Sequence, residues 1–193
     1  VLARQIGTNN LPDCSNMCHE SSGVALSESI GIEKGTVKLS CFEKADLILV
    51  IGQNPGTNHP RMLTALAACK ENGGSVVSIN PLEETAMKRF KHPQNPLHLI
   101  GRGVQIADEH LPVRIGGDAA LLQGFAKTIL SQGGADLDFI SANTLGFEDW
   151  KKHIESTDWE KIVEQSGISR DRIEKTGNAI AKSERMIVCW AMG

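Results

Sequence analysis

The chain contains no tyrosine, and aromatic residues make up only 4% of its 193 positions. A platform that stacks nucleic-acid bases needs exposed aromatic faces, so this scarcity argues against that class. Charge of neither sign dominates. The 20 Lys and Arg stand against 23 Asp and Glu, for a formal net charge of −3, which offers no basic footprint for a phosphate backbone. No run of about 18 apolar residues occurs, so no membrane span is expected. The five cysteines (Cys14, Cys18, Cys41, Cys69, Cys189) are odd in number and do not form a disulfide framework. Cys41, Cys69 and Cys189 sit inside apolar patterns, where cysteine behaves as a small hydrophobe. A reducing compartment, and with it a cytoplasmic location, is the expectation. Nor is there the set of four spaced thiolates that an iron–sulfur cluster requires.

What remains is an ordinary globular composition, 40% apolar and 22% charged, long enough for one generous α/β domain or two small ones. The sequence opens Val1-Leu2-Ala3-Arg4 and stops at Met192-Gly193 just after an apolar run. The expectation is a single α/β domain over residues 1–193, excised from a longer multidomain chain. Residues 1–40 are then expected to pack on or near its neighbouring domains.

The run Asp46 to Gly52 is continuous and apolar and ends in Gly, as a buried parallel strand does. A helix is predicted from about His59 to Asn72, with Pro60 in its first turn and Gly73 closing it. The next strand runs to Ile79 and is stopped by Asn80-Pro81. Together these make a right-handed βαβ unit. Further helices are predicted from Ala119 to Leu130 with Asp118 as cap, over Trp150–Ile154 and Trp159–Val163, and from a Ser169 cap to Lys182. A last strand follows Arg185 and reaches Trp190. Upstream, Ser40-x-x-Glu43 has the form of a capping box, and Ser15 to Ile30 has helical character despite Gly23. Between Phe90 and Pro112 no period is evident, and a long irregular loop is expected. Its basic start, Lys88, Arg89 and Lys91, is either a phosphate contact or a solvated surface. The fold class is thus α/β: a Rossmann-like three-layer domain with a mostly parallel sheet and a long irregular loop.

Four segments could carry chemistry. Gly52-Gln53-Asn54-Pro55-Gly56-Thr57-Asn58-His59-Pro60 follows the first strand, where open parallel sheets bind ligands. Its backbone N–H groups at a helix start suit a phosphate, although it departs from the G-x-G-x-x-G fingerprint of a common NAD site. Asn58 could equally be a plain helix cap there, with Gly52 and Gly56 only making the turn. Asn80 stands at the end of the second strand, where dinucleotide folds recognise a ribose. Gly116-Gly117-Asp118 offers flexible backbone before a helix, against which a guanine or ribose could lie, or a simple turn. Cys14 and Cys18, with His19 adjacent, lack the second ligand pair of a zinc site. A thiolate on a soft or redox metal with a nearby imidazole suits these residue types, and so does a buried structural cysteine.

In order along the chain, TNN-x-x-D-C-x-x-x-C-H, G-x-N-P-x-x-x-H-P, S-I-N-P, I-G-G-D-x-A-L-L and C-W-A-M-G resemble the molybdopterin oxidoreductases. The likeness is to formate-dehydrogenase-like alpha subunits that use molybdenum bis-(molybdopterin guanine dinucleotide). The resemblance implies that Cys18 is the molybdenum ligand and His19 a participant in proton handling. It places Gly52, Asn54, Thr57 and Asn58 in the loop contacting one guanine dinucleotide. Asn80 falls where relatives more often carry Asp, and Gly116, Gly117 and Asp118 form a further cofactor-contacting turn. Met192 and Gly193 open a loop that approaches the pterin in relatives.

The implied reaction is the two-electron oxidation of formate, or a similar small molecule, to carbon dioxide. The implied partners are the missing domains of the same chain and an electron-transfer protein. An iron–sulfur cluster would belong to the parent chain rather than to this segment, and the segment alone should be inactive. Two other classes compete: a non-catalytic nucleotide-binding module of another cofactor enzyme, and a cysteine hydrolase using Cys18. The first leaves Cys18-His19 without purpose. The second needs a base held near Cys18.

Overall fold

The computed structural model describes residues 1–11 and 14–190. The chain divides into two compact units, one of residues 1–38 with 190–193, the other of residues 39–189. The first unit contains three helices, α1 (Leu2–Ile6), α2 (Cys14–Met17) and α3 (Glu20–Ile30). None of its described residues up to Lys38 is buried. The helical character of Ser15 to Ile30 is present but interrupted, because the chain turns at Cys18 and His19 between α2 and α3.

The second unit runs α4 (Leu39–Phe42), β1 (Leu47–Ile51), α5 (Pro55–Asn58), α6 (Pro60–Glu71), β2 (Ser75–Ile79), α7 (Thr85–Lys88) and α8 (Pro96–Ile100). It continues with β3 (Glu109–Leu111), α9 (Asp118–Ser131), α10 (Leu137–Asn143), α11 (Phe147–Ser156), α12 (Trp159–Ser166), α13 (Arg170–Lys182) and all but the last residue of β4 (Met186–Trp190). The four strands form one parallel sheet in the order β3-β2-β1-β4. In it Leu47 pairs with Ser75 and Ile51 with Ile79, while Val77 pairs with Glu109 and Ile79 with Leu111.

β1 has no polar side because both sheet faces are covered. Ile48 and Val50 enter one core with Val76, Leu63 and Leu66 of α6, Met87 of α7 and Ile106. Leu47 and Leu49 enter the other with Val77, Ile79, Leu121 and Phe125 of α9, Ile162 of α12 and Ile173 of α13. This alternation, two apolar faces on one strand, makes the three layers. Burying each such Leu or Ile contributes roughly 1.5–3 kcal/mol. Cys69 is fully buried in the first core and its thiol donates to Ala45 O at 3.5 Å, with Cys41 and Cys189 packed alongside. Burial pushes the Cys189 thiol up to about 11, as suits cysteines used for their bulk.

The stretch after Phe90 is irregular over most of its length, yet it holds α8 and ends in β3. An antiparallel bridge between Phe90 and Val104 closes the excursion. Two predicted caps sit elsewhere: Gly117, not Asp118, is the N-cap of α9, and Ser40 lies inside α4 rather than before it. Asp118 instead opens the helix, where a carboxylate favours the positive end of the dipole. At the opposite end of the sheet Asp46 ties β1 to β4. Its carboxylate accepts from the backbone N–H groups of Glu184 and Arg185 and from the Arg185 guanidinium at 2.8 Å. That guanidinium holds the Asp46 carboxyl below the ordinary 3.8.

Candidate functional site

The carboxyl ends of β1, β2 and β3 are laced together by hydrogen bonds beyond the strands. Gly52 N donates to Ile79 O at 2.8 Å, and Asn80 N donates to Leu111 O at 3.1 Å. The ladder therefore carries the first residue of two loops onto the neighbouring strand. Gly52 turns there with φ of 63°, in the left-handed region that favours glycine. Asn80 then holds the crossing, its Nδ2 donating to Gln53 O at 3.3 Å while its Oδ1 accepts from Leu82 N at 3.4 Å. The side chain expected to meet a ribose is thus also the strut between the first two loops.

Asn54 is half-buried and caps α5 in position, but its side chain turns away from the helix. Its Nδ2 donates to Glu84 Oε2 at 2.7 Å. Thr57 and Asn58 are exposed on α5, and Asn58 Oδ1 lies 2.9 Å from His59 Nδ1. His59, not Asn58, is the N-cap of α6, with Pro60 as its first residue. Gly56 is needed for close approach, since a Cβ there would lie 2.3 Å from Ala86 Cβ of α7. α5 and α7 are thereby held against one another beneath the loop.

The third loop follows β3. Arg114 N donates to Ser166 O at 2.9 Å and its Nη1 to Glu164 O at 2.6 Å, which anchors the loop on α12. Gly116 is exposed with φ of 81°, and no atom lies within 4 Å of where its Cβ would be. Open backbone of this kind suits a planar or anionic group. Gly117 is buried instead, and a Cβ there would sit 2.6 Å from Gln165 O.

Cys18 and His19 belong to the first unit. Cys18 N donates to Ser15 O at 3.2 Å, and His19 is the N-cap position of α3 without a side-chain cap bond. Cys18 is half-buried, whereas His19 is exposed and lines a cavity of about 830 Å³ with Ser15, Asn16, Glu20, Glu33 and Lys34 among others. Met192 and Gly193 lie outside the described residues.

Sequence reasoning puts Gly52 and Asn54 in one loop and Asn80 at the end of the next strand, and the structure bonds Asn80 to Gln53 of that loop. Sequence reasoning missed Glu84, the partner of Asn54, and Arg114, whose anchoring role depends on a carbonyl 50 residues away. The signal for Glu84 is faint: a carboxylate four residues after Asn80.

Against known families, residues 1–192 match the model of the molybdopterin oxidoreductase domain. The chain belongs to the molybdopterin oxidoreductase family. Among relatives of this family it is 44% identical to Protein YdeP of Escherichia coli (strain K12), over all of this chain and 27% of that protein. To Formate dehydrogenase H of Escherichia coli (strain K12) it is 27% identical, over 97% of this chain and 24% of that protein. The acetylene hydratase from Pelobacter acetylenicus shares the fold, with a TM-score of 0.73 at 21% identity over 97% of this chain and 23% of that one. The molybdopterin oxidoreductase chain described above therefore spans about a quarter of the length of these relatives. The family as a whole is one of oxidoreductases with a molybdenum–pterin cofactor. Among the described residues, no helix is long and apolar enough to cross a membrane.

Proposed function

We propose that this segment binds one guanine dinucleotide of a molybdenum bis-(molybdopterin guanine dinucleotide) and supplies Cys18 as a ligand to molybdenum. The parent is a cytoplasmic, formate-dehydrogenase-like oxidoreductase acting on formate or a similar small molecule, in which this segment is one domain. The observation that carries the proposal is the joining of the first two loops by Asn80 at the carboxyl end of a parallel sheet. Ligands of open α/β sheets bind there, and the exposed backbone at Gly52 and Gly116 fits a pyrophosphate or a flat base.

In this assignment Gly52, Asn54, Thr57 and Asn58 face the dinucleotide, Asn80 its ribose, and Gly116, Gly117 and Asp118 the third contact. Met192 and Gly193 complete the proposed set of cofactor-binding residues. The described residues hold no group of three or more His, Cys, Asp or Glu able to cage a metal. A metal at Cys18 would take its other ligands from the cofactor. When bound, the molybdenum accepts two electrons from substrate. His19, next to Cys18 in sequence, is the residue assigned to receive the proton.

The test is the metal and guanine-nucleotide content of the full-length parent, purified anaerobically. About one molybdenum per chain, with guanine nucleotide released on acid hydrolysis, is expected. Cys18→Ser should then abolish metal-dependent turnover while leaving the nucleotide bound. Protein free of molybdenum and tungsten, from cells that load other molybdoenzymes, would leave a nucleotide-binding module with a structural Cys18.

A further inference from the structure

A second polar cavity lies apart from the loops assigned to the cofactor, and none of those residues lines it. It occupies about 290 Å³ against the β2–β3 side of the sheet, beside α7. Ser78 and His110 both line it, and they are register partners on adjacent parallel strands. Paired positions of neighbouring strands present their side chains on the same face, about 5 Å apart. Ser78 is 1% exposed. Its Oγ and the Nδ1 of His110 are both buried, and neither has a hydrogen-bond partner. Two adjacent orphaned polar atoms are uncommon, because leaving each unpaired costs about 1–3 kcal/mol.

The charged groups around the cavity are already committed. Glu83 pairs with Lys88 at 2.7 Å. Asp108 pairs with Lys70 and also accepts from Val76 N at 2.8 Å. Glu109 is held by Arg172 and by Lys175 at 2.9 Å. An ionic ligand would find no unspent counter-charge here, whereas a hydroxyl can both donate and accept. Burial lowers the imidazole pKa of His110, in keeping with a neutral ring as one partner. The volume is roughly ten times the share of a single water and sits at the small end of ligand sites.

We infer that this cavity is a binding site for a small neutral polyhydroxy compound, held by hydroxyl groups bridging Ser78 Oγ and His110 Nδ1. The inference is independent of the cofactor assignment.

Erythritol is the probe. In ligand-observed saturation-transfer NMR on the full-length protein it should give signals that saturate with concentration. Ser78→Ala should raise Kd on the order of tenfold, the effect of one lost hydrogen bond, and His110→Phe should abolish the signal. Asn80→Ala, in the loop assigned to the cofactor, should leave it unchanged. Should His110→Phe fail to fold, Ser78→Ala decides alone, since it leaves the strand hydrogen bonds intact. Non-saturating signals, or signals unchanged in Ser78→Ala, would overturn the proposal. So would loss of signal in Asn80→Ala alone, which would move the binding to the cofactor loops.

Discussion

Glu109 joins the edge strand to α13 through two cations, Arg172 and Lys175, and Arg172 also donates to His110 O. The Lys175 ammonium first, then the Arg172 guanidinium, holds the Glu109 carboxyl below its ordinary 4.5. Both cations are substantially exposed, 39% for Arg172 and 72% for Lys175, so solvent screens much of their attraction. A group whose folded-state pKa is depressed stabilises the fold above its unfolded value and loses that contribution as pH falls through the folded value. Glu109→Gln should therefore lower unfolding stability by about 0.5–1 kcal/mol at pH 7. The difference should shrink below about pH 4.5 and vanish in stronger acid. Urea titrations of both proteins at pH 7 and pH 3 measure it. An undiminished gap at pH 3 would show that the side chain acts through packing and not through its charge.

At the scale of elements, helix contacts hinge on where small residues fall. Gly124 in α9 faces Ile173 and Ile162, and a Cβ there would lie 2.7 Å from Ile173 Cγ2 and 3.1 Å from Ile162 Cγ2. Gly177 in α13 returns the contact, with Thr128 Cβ 2.7 Å away. Alanine would gain up to about 1 kcal/mol of helix propensity at either site. It would also overpack a stiff, β-branched neighbour at about 1–3 kcal/mol. Gly124→Ala and Gly177→Ala should each destabilise by about 1–2 kcal/mol. Gly23→Ala in α3, whose nearest neighbour is Glu33 Cβ at 4.0 Å, should be neutral or stabilising by up to about 1 kcal/mol. Thermal denaturation of the three variants separates packing from propensity, and equal shifts would refute the assignment.

The same scale explains what could be read from sequence. β1 and β2 were legible because five consecutive apolar or small residues bounded by turn signals leave little alternative. β3 was hidden because Glu-His-Leu is too short to show a period, and its pairing with β2 spans more than 30 residues. α7 was hidden for the same reason. The meeting of Asn80 with the first loop is legible in outline because each lies just beyond a strand end. Glu84 was invisible because it meets Asn54 only after folding.

At the scale of the whole molecule the burial is uneven. Among the described residues, every fully buried core residue lies in the unit of residues 39–189, where β1 and β2 pack between α6 on one face and α9 and α13 on the other. The helices of residues 1–38 have no buried described residue. Local opening free energy follows buried apolar contact, from near zero where there is little to the global value in core strands. In the 193-residue chain free of cofactor, amides of β1, β2 and α9 should exchange only through global unfolding. Those of α3 should exchange at least a hundredfold faster, a difference of about 2.7 kcal/mol or more in opening free energy. Hydrogen exchange read by mass spectrometry after peptic digestion gives both numbers in one experiment. In the full-length protein loaded with cofactor, α3 should become protected if the proposed ligation at Cys18 holds, because it would fix the turn that precedes α3 and binding to the native state adds to its stability. Protection of α3 equal to that of β1 in the free chain would refute the division. Protection unchanged on loading would count against Cys18 as a metal ligand and leave the division standing.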